Sequence, residues 1–412
     1  MSQIALPDIS KVRISIVSFF LLMALLRLTF FDFYLSQLFG FPVEINALGG
    51  GAFNFVNYIC FGGLLMVFIH QGSKLSTFWP SLSQYAVLVV LYSINFLLSP
   101  YIDSSWFLYQ LIFITMAIIV HIFTFKVRDW DDRFFYRRTI WIFRMMIALV
   151  AFCTIQILIQ YPISYYFSEF NDAFVHSLDD FGIMKQRYGY LLGFLSAYTL
   201  YMVRDKYVKV PILLLILFAG FGIRSYMIGM IGALLIFNIG SLKRVFAAAV
   251  FTGVAVFLLK DQYFDNLIYD TRFYSYANAW NIINNFPFGV GLGGYPIYTD
   301  IFNRQIFADF YSVNAILDYV PSSPESDYVH LFGSLGLALG SLHLLVQARV
   351  VWLTLRLKAI ARPFEKCILF LFCFMTFFGL GEDSMFTVYF WIFFGLATGV
   401  ITSLIFRSRQ HD

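Results

Sequence analysis

Long apolar segments follow one another along almost the whole chain, and this pattern limits the possible folds more than any other feature of the sequence. A membrane-spanning helix needs about 17–25 predominantly apolar residues, and runs of about that length are separated here by short polar or charged stretches. Of the 412 residues, 60% are hydrophobic and 13% are charged, whereas soluble domains average about 25% charged residues. The sequence therefore predicts an all-α, polytopic integral membrane protein and not a soluble one.

These runs predict twelve transmembrane helices. They cover approximately residues 14–33, 52–70, 82–98, 105–125, 139–160, 188–203, 209–223, 225–240, 244–259, 327–348, 366–381 and 385–406. The whole chain, 1–412, is expected to form a single transmembrane domain. It has an outer loop at 160–187 and a large, partly helical outer loop at 260–326, and loops of such length are commonly functional.

The distribution of positive charge predicts the orientation of the chain. When both termini are placed in the cytoplasm, 20 of the 28 basic residues fall in cytoplasmic segments and six fall in outer segments. Arg27 and Arg144 fall within spans. Because cytoplasmic loops of membrane proteins carry an excess of lysine and arginine, we expect a multi-pass protein with both termini in the cytoplasm.

Three arginines of the outer segments are candidates for binding an anion. Arg224 stands at a span end in FGIRSYMIG, Arg272 stands in the large outer loop in DTRFYSYANAW, and Arg187 stands at another span end in GIMKQRYGY. The alternative is an interfacial anchor for Arg187 and Arg224, and a salt bridge with Asp270 or Asp265 for Arg272. The residues alone leave both interpretations open.

The glycine-rich stretch NNFPFGVGLGGYP is the second candidate element. Its glycines follow a predicted helix instead of a strand, and this excludes the dinucleotide-binding fingerprint that the spacing superficially resembles. Two interpretations remain for Gly289, Gly291, Gly293 and Gly294. They form either a flexible turn or a tight turn whose backbone amides approach an anion closely.

The stretch PESDYVHLFGSLGLALG opens a glycine-rich apolar helix. Pro324 suits a first helical turn, with Ser323 or Ser322 as the N-cap, and Ser322 and Glu325 have capping-box spacing. These features predict a helix start at about Pro324. A capping role for Glu325 is therefore an alternative to a role in a site.

Two further side chains in this stretch are candidates for chemistry. Asp327 is favoured near the positive end of a helix, and His330 follows it by one turn on the same face. The glycines at 333, 336 and 340 are expected to let another helix pack closely. Since histidine titrates near neutral pH, His330 can act as a base, and Asp327 can orient its imidazole.

The order of these features resembles that of the O-antigen ligase and O-antigen polymerase superfamily of bacterial surface-polysaccharide enzymes. An arginine at an outer span end is followed by a long loop with R…AW…NNFPFGVGLGGY and by an acidic segment that ends in a histidine and enters a glycine-rich helix. The resemblance covers about Tyr188 to Gly340. The chain departs from the family's usual Ser-Arg pair, since the order here is Arg224-Ser225.

The resemblance implies a fold similar to that of the C-type glycosyltransferases, with activity at the periplasmic face, no metal ion and no cofactor. By this resemblance, Arg224 and Arg272 bind the diphosphate of a donor attached to undecaprenyl diphosphate, and His330 acts on the acceptor hydroxyl as a third catalytic residue. The expected substrate contacts are Arg187, Asp327, Glu325, Gly291, Gly293 and Tyr295.

The function expected from this resemblance is polymerisation of surface-polysaccharide repeat units in the bacterial inner (plasma) membrane. The partners would be the lipid-linked oligosaccharide donor and acceptor, the bilayer and a chain-length regulator protein, and no nucleic acid. A ligase that transfers glycan to lipid A core or to protein is the alternative enzyme. A lipid-linked glycan flippase or transporter is the alternative of a different class, although mid-span carboxylates that could couple an ion are lacking.

Overall fold

The computed structural model describes residues 79–100, 104–126, 132–160, 185–220, 223–238, 279–280, 282–292, 294, 326–381 and 388–411. These residues form helices and turns, with no strand among them. The helices are α1 (Trp79–Leu98), α2 (Ser104–Lys126), α3 (Asp132–Gln160), α4 (Lys185–Tyr201), α5 (Lys206–Gly220), α6 (Arg224–Asn238), α7 (Asp327–Leu357), α8 (Pro363–Phe378) and α9 (Val388–His411). The predicted spans 14–33, 52–70 and 244–259 lie outside the described residues, as do 161–184 and most of the predicted loop 260–326.

Each of the other nine predicted spans coincides with one of these helices. Four segments are long and apolar enough to cross a membrane: Trp106–Phe125 in α2, Thr139–Gln156 in α3, Asp327–Leu357 in α7 and Phe390–Arg409 in α9. The described part of the chain is therefore all-helical and carries helices long and apolar enough to span a membrane. By contrast, α5 and α6 have only 15 residues each, or about 22 Å of length at 1.5 Å per residue.

Helix α8 occupies the centre of the described bundle. It packs against α4, α6 and α9 and also touches α3 and α7. Twelve of its 16 residues are buried, and Phe370, Phe372 and Phe374 are fully inaccessible. A helix that is apolar all round is expected in such a central position. Two hydrophobic clusters meet at α8. Phe370 and Phe374 belong to the one formed mainly by α3–α6, and Phe372 belongs to the one formed mainly by α1, α2, α7 and α9.

Small residues allow α9 to lie directly on the backbone of α2. A β-carbon on Gly395 would meet the carbonyl oxygen of Ala117 at 2.5 Å, and one on Gly399 would meet that of His121 at 2.6 Å. Gly395 and Gly399 are four residues apart, which is the small-xxx-small spacing that brings membrane helices into close contact. These two helices form the most extensive contact between described helices.

Helix α7 is broken at Gly336, which has φ 70° and ψ −179°. Residues 337–357 alone have a length of about 31 Å, and this matches the hydrocarbon thickness of a bilayer, about 30 Å. The preceding segment runs from the end of α8, where Asp327 is bonded to Gly379, to the last turn of α1, where Ser334 is bonded to Asn95. The predicted span 327–348 is therefore interrupted, and Asp327–Leu335 crosses one end of the bundle. We call this the Asp327 end.

At the opposite end, where α4 ends and α8 begins, lysine side chains close helix C-termini. Lys209 Nζ donates to the carbonyl of Leu200 at 2.8 Å, and Lys358 Nζ donates to that of Ile236. Cations are favoured beside the negative ends of helices. Burial lowers the pKa of the Lys358 amine below its ordinary value. We call this the Arg204 end, after the arginine between α4 and α5.

Candidate active site

The first turn of α7 is fixed to the turn that follows α8. The Asp327 N–H donates to the carbonyl of Gly379 at 2.9 Å, and the Ser326 hydroxyl donates to the same oxygen at 3.2 Å. The Tyr328 hydroxyl donates to the carbonyl of Thr376 at 2.8 Å. The N-cap is Ser326, so the helix starts three residues later than the predicted start at Pro324. Capping by the serines at 322–323 is thereby excluded for this helix, because the turn after α8 fixes its start.

Asp327 and His330 are both buried in this turn, and they face different neighbours. Asp327 is 1% exposed, and its carboxylate lies over the α-carbon of Gly379, where a β-carbon would overlap Oδ2. His330 is 4% exposed, and its ring meets that of Trp106 edge-on at a centroid distance of 6.1 Å. Ionisable groups are rarely buried so completely in the absence of a functional or structural reason. This turn therefore places a carboxylate and an imidazole inside the Asp327 end.

Helices α4 and α6 begin at the same turn. A β-carbon on Gly381 would lie 3.3 Å from that of Ser225, which follows Arg224. Gly189, two residues after Arg187, lies against the ring of Phe378. The backbones at Arg187 and Arg224, two of the three predicted anion-binding arginines, therefore reach the Asp327 end. The structure describes these two backbones but not the two side chains.

The other predicted site residues fall outside the described part of the chain or take part in turn geometry. Arg272, Glu325, Gly293 and Tyr295 lie outside the described residues. Gly291 is described, and it has a positive φ of 101°. The N–H of Gly291 donates to the carbonyl of Ser334 at 3.0 Å.

The turn that contains Gly289 and Gly291, which we call the glycine turn, is hydrogen-bonded to α7 at its break. The Val290 N–H donates to the carbonyl of Gly333 at 3.0 Å, parallel to the bond from Gly291 to Ser334. The N–H groups of Val290 and Gly291 already donate to α7, so they are not available to bind an anion. The sequence predicted that another helix packs on the glycines of α7, and at Gly333 and Gly336 the structure places this turn instead.

Asn95, in the last turn of α1, ties this assembly together. Its Nδ2 donates to the carbonyls of Phe288 and Ser334, both at 2.8 Å. The glycine turn, the break in α7 and the end of α1 are thereby joined by one buried side chain. Asn95 was not predicted to be part of this end, although an asparagine inside the apolar run LYSINFLL is the available signal.

Two buried histidines within the bundle were also not identified from the sequence. His121 Nδ1 lies 2.9 Å from the hydroxyl of Thr398 on α9. His343 Nδ1 lies 3.4 Å from the hydroxyl of Tyr92 on α1, and its Nε2 lies 3.3 Å from the side-chain nitrogen of Gln347. These contacts connect α1, α2, α7 and α9 through polar groups, as is common between membrane helices.

The comparisons with known proteins give no family. No protein-family model matches the chain, and no curated protein sequence is significantly similar to it.

The chemistry available at the Asp327 end is that of a buried carboxylate, an imidazole and adjacent helix N-termini. The positive ends of the dipoles of α4, α6 and α7 meet around the turn after α8, and helix N-termini favour anions. An imidazole can take a proton near neutral pH. This combination suits transfer of a group from an anionic leaving group to a hydroxyl.

Proposed function

We propose that this protein polymerises surface-polysaccharide repeat units in the bacterial inner membrane. It would transfer a growing glycan from undecaprenyl diphosphate onto a lipid-linked repeat unit at the periplasmic face. The proposal includes twelve spans, cytoplasmic termini and a fold like that of the C-type glycosyltransferases. In this orientation the Asp327 end faces the periplasm.

The observation that carries the proposal is the position of His330. This histidine is buried one turn into the broken helix α7, beside Trp106, at the end of the bundle where the backbones bearing Arg187 and Arg224 begin α4 and α6. The backbones of Arg224, a predicted diphosphate ligand, and of Arg187, a predicted substrate contact, thus begin their helices at the same end as the predicted base. This grouping supports a shared catalytic site more strongly than it supports the alternative, in which the three helix ends are unrelated.

The proposed reaction divides the roles by charge. His330 removes the proton from the acceptor sugar hydroxyl, whose oxygen attacks the anomeric carbon of the donor. The bond between that carbon and the diphosphate oxygen breaks, and undecaprenyl diphosphate leaves with the bonding electrons. Arg224 and Arg272 neutralise the developing charge, because a guanidinium stays protonated and binds phosphate oxygens in a fork. A metal ion is not required in this scheme.

The test is complementation of a strain that lacks the gene, with surface glycan separated on a gel. Wild type should restore a ladder of chain lengths, whereas His330→Gln and Arg272→Ala should give single repeat units at equal membrane abundance. Removing a general base slows proton transfer by about 10²–10⁴-fold. Glutamine is a polar side chain of about the size of histidine, but it has no basic nitrogen. Arg409→Ala, a change at an exposed arginine of α9, is the matched control and should leave the ladder intact.

Other outcomes of the same gel would replace the proposal. Transfer of preformed chains to lipid A core, with the ladder independent of this gene, would identify a ligase. If the strain that lacks the gene has no surface repeat units and accumulates lipid-linked units inside the cell, the protein is a flippase. An intact ladder from both His330→Gln and Arg272→Ala would show that neither residue is catalytic.

A further inference from the structure

A cavity of about 540 Å³ opens at the Arg204 end, away from the candidate active site. Its walls come from the first half of α3, from the end of α4 with the turn into α5, and from the start of α8. Tyr136, Phe143 and Tyr201 supply aromatic surface, and Arg144 and Arg204 supply two guanidinium groups. Ligand pockets have volumes of about 300–1,000 Å³ and are mostly apolar with a few polar groups, and this cavity fits both criteria.

The two arginines give the cavity a net positive charge. Within the described part of the chain, neither Arg144 nor Arg204 forms an ion pair, and both are exposed. Asp205 also lines the cavity. Its Oδ1 accepts the N–H of Tyr207 at 2.9 Å and caps the start of α5, so this carboxylate already has a structural role. Among its described lining residues, the cavity thus offers two guanidinium groups to an anion and one carboxylate that opposes it.

The cavity lies beside surface that is suited to acyl chains. Val208 lines it and is 48% exposed, and Met145 on α3 and Leu214 on α5 are exposed by 61% and 62%. Arg144 lies five residues inside the apolar segment Thr139–Gln156, or about 7.5 Å at 1.5 Å per residue. An arginine at this depth lies within reach of the headgroup region by extending its side chain.

We propose that this cavity binds the phosphate headgroup of an anionic phospholipid, held by Arg144 and Arg204, with acyl chains on the apolar faces of α3 and α5. Guanidinium groups bind phosphate oxygens through charge-assisted hydrogen bonds, and basic pockets between membrane helices suit anionic headgroups. The aromatic and aliphatic walls favour a lipid over free phosphate, because free phosphate has no apolar part to place there. The proposal is independent of the reaction proposed for the Asp327 end.

The test is lipid binding to the purified full-length chain, measured by native mass spectrometry in detergent. Phosphatidylglycerol should bind more tightly than phosphatidylcholine with the same acyl chains. Arg144→Gln and Arg204→Gln should each weaken phosphatidylglycerol binding about fivefold, and the double variant about thirtyfold, or about 2 kcal/mol. Arg409→Gln removes an exposed arginine that does not line the cavity, and it should change nothing.

A substitution that is expected to strengthen lipid binding distinguishes an effect of the cavity's charge from general damage to the fold. Asp205→Asn keeps a side-chain acceptor for the α5 cap and removes the one carboxylate of the described lining, so phosphatidylglycerol should bind more tightly. Weaker binding to this variant would overturn the proposal, as would equal affinities for the double variant and Arg409→Gln. Displacement of the lipid by inorganic phosphate at millimolar concentration would assign the cavity to free phosphate instead.

Discussion

Substituting Gly336 by alanine should separate the glycine turn from α7. At φ 70° and ψ −179°, a residue with a β-carbon is strained by about 1–3 kcal/mol. The added β-carbon would also lie 2.6 Å from the carbonyl carbon of Phe288 and would overlap the backbone of Pro287 and Gly289. These are backbone atoms, which no rotamer change can move away.

The loss of stability can be bounded from the contacts on either side of the break. If the turn moves away, the bonds that Val290 and Gly291 donate to α7 are lost, together with the bond from Asn95 to Phe288. At about 1 kcal/mol each, these three bonds amount to about 3 kcal/mol, in addition to the backbone strain of about 1–3 kcal/mol. We therefore expect Gly336→Ala to lower the free energy of unfolding by between about 1 kcal/mol, if the strain is accommodated, and about 6 kcal/mol.

The assay is thermal unfolding of the purified chain in detergent, with Gly340→Ala as the control. A β-carbon on Gly340 would meet mainly the Phe332 ring, at 2.8 and 3.2 Å, and this side chain can rotate. An unfolding entropy of about 2.1 cal/mol/K per residue gives about 0.9 kcal/mol/K for the chain. We therefore expect a decrease in Tm of about 1–7 °C for Gly336→Ala and little change for Gly340→Ala.

A double-variant cycle tests the cause directly. A β-carbon on Gly289 would overlap the carbonyl of Ser334 and approach the nitrogen of Gly336. Gly289→Ala should therefore act through the same separation, and the double variant should lose less stability than the sum of the single losses. Strict additivity, or a Gly336→Ala variant as stable as Gly340→Ala, would refute the proposed contact.

Three further changes have defined outcomes. Asn95→Ala should cost about 1–3 kcal/mol, because Phe288 loses the bond to its carbonyl. Unfolding by heat would measure this, with Ser93→Ala as the control because that hydroxyl bonds only within α1. Gly399→Val should reduce the amount of folded protein in detergent extracts measured by size-exclusion chromatography, since the side chain would overlap the α2 backbone; an unchanged elution profile would contradict the close packing. Glu365→Gln should lower Tm by a few degrees through loss of its ion pair with Arg407. The side chain of Glu365 is 8% exposed and that of Arg407 is 21% exposed, so the difference should shrink at high salt through screening of the arginine.

Sequence patterning predicted the positions of the described helices well and their lengths less well. Apolar runs are set by the need to avoid exposing polar groups to lipid, so their centres coincide with helices. The predicted span 327–348 stops before Arg349, whereas α7 continues to Leu357. Likewise, α3 begins at Asp132, before the predicted 139. A helix does not end where its sequence becomes charged, because its backbone bonds persist in water and long basic side chains extend from its surface.

The break in α7 could not be predicted from the glycine at 336 alone. Glycine is common in membrane helices, and the break is set by a partner that arrives from a distant segment. Gly289 and Gly336 are placed together by hydrogen bonds from the glycine turn, and no local pattern in either segment encodes this. The same limit applies to the turn after α8, which receives Asp327 although its sequence, FFGLG, contains no polar side chain.

The candidate site was predictable as a set of residue types and not as a geometry. His330 and Asp327 stand out in the sequence because ionisable groups open an apolar helix. Their different neighbours, Trp106 and Gly379, depend on how α2 and α8 pack. Asn95 was not identified, because a single asparagine in an apolar run has no partner that the sequence reveals.

The most direct test of the central claim is a polymerisation assay with purified protein. The full-length chain would be reconstituted in liposomes with undecaprenyl-diphosphate-linked repeat units, and the products would be resolved by length on a gel. We predict chains of several repeats and release of undecaprenyl diphosphate from wild type, and a rate at least a hundredfold lower from His330→Gln with unchanged Tm. Chain growth at the wild-type rate in His330→Gln, or no growth in wild type while the units cross the bilayer, would contradict the proposed active site.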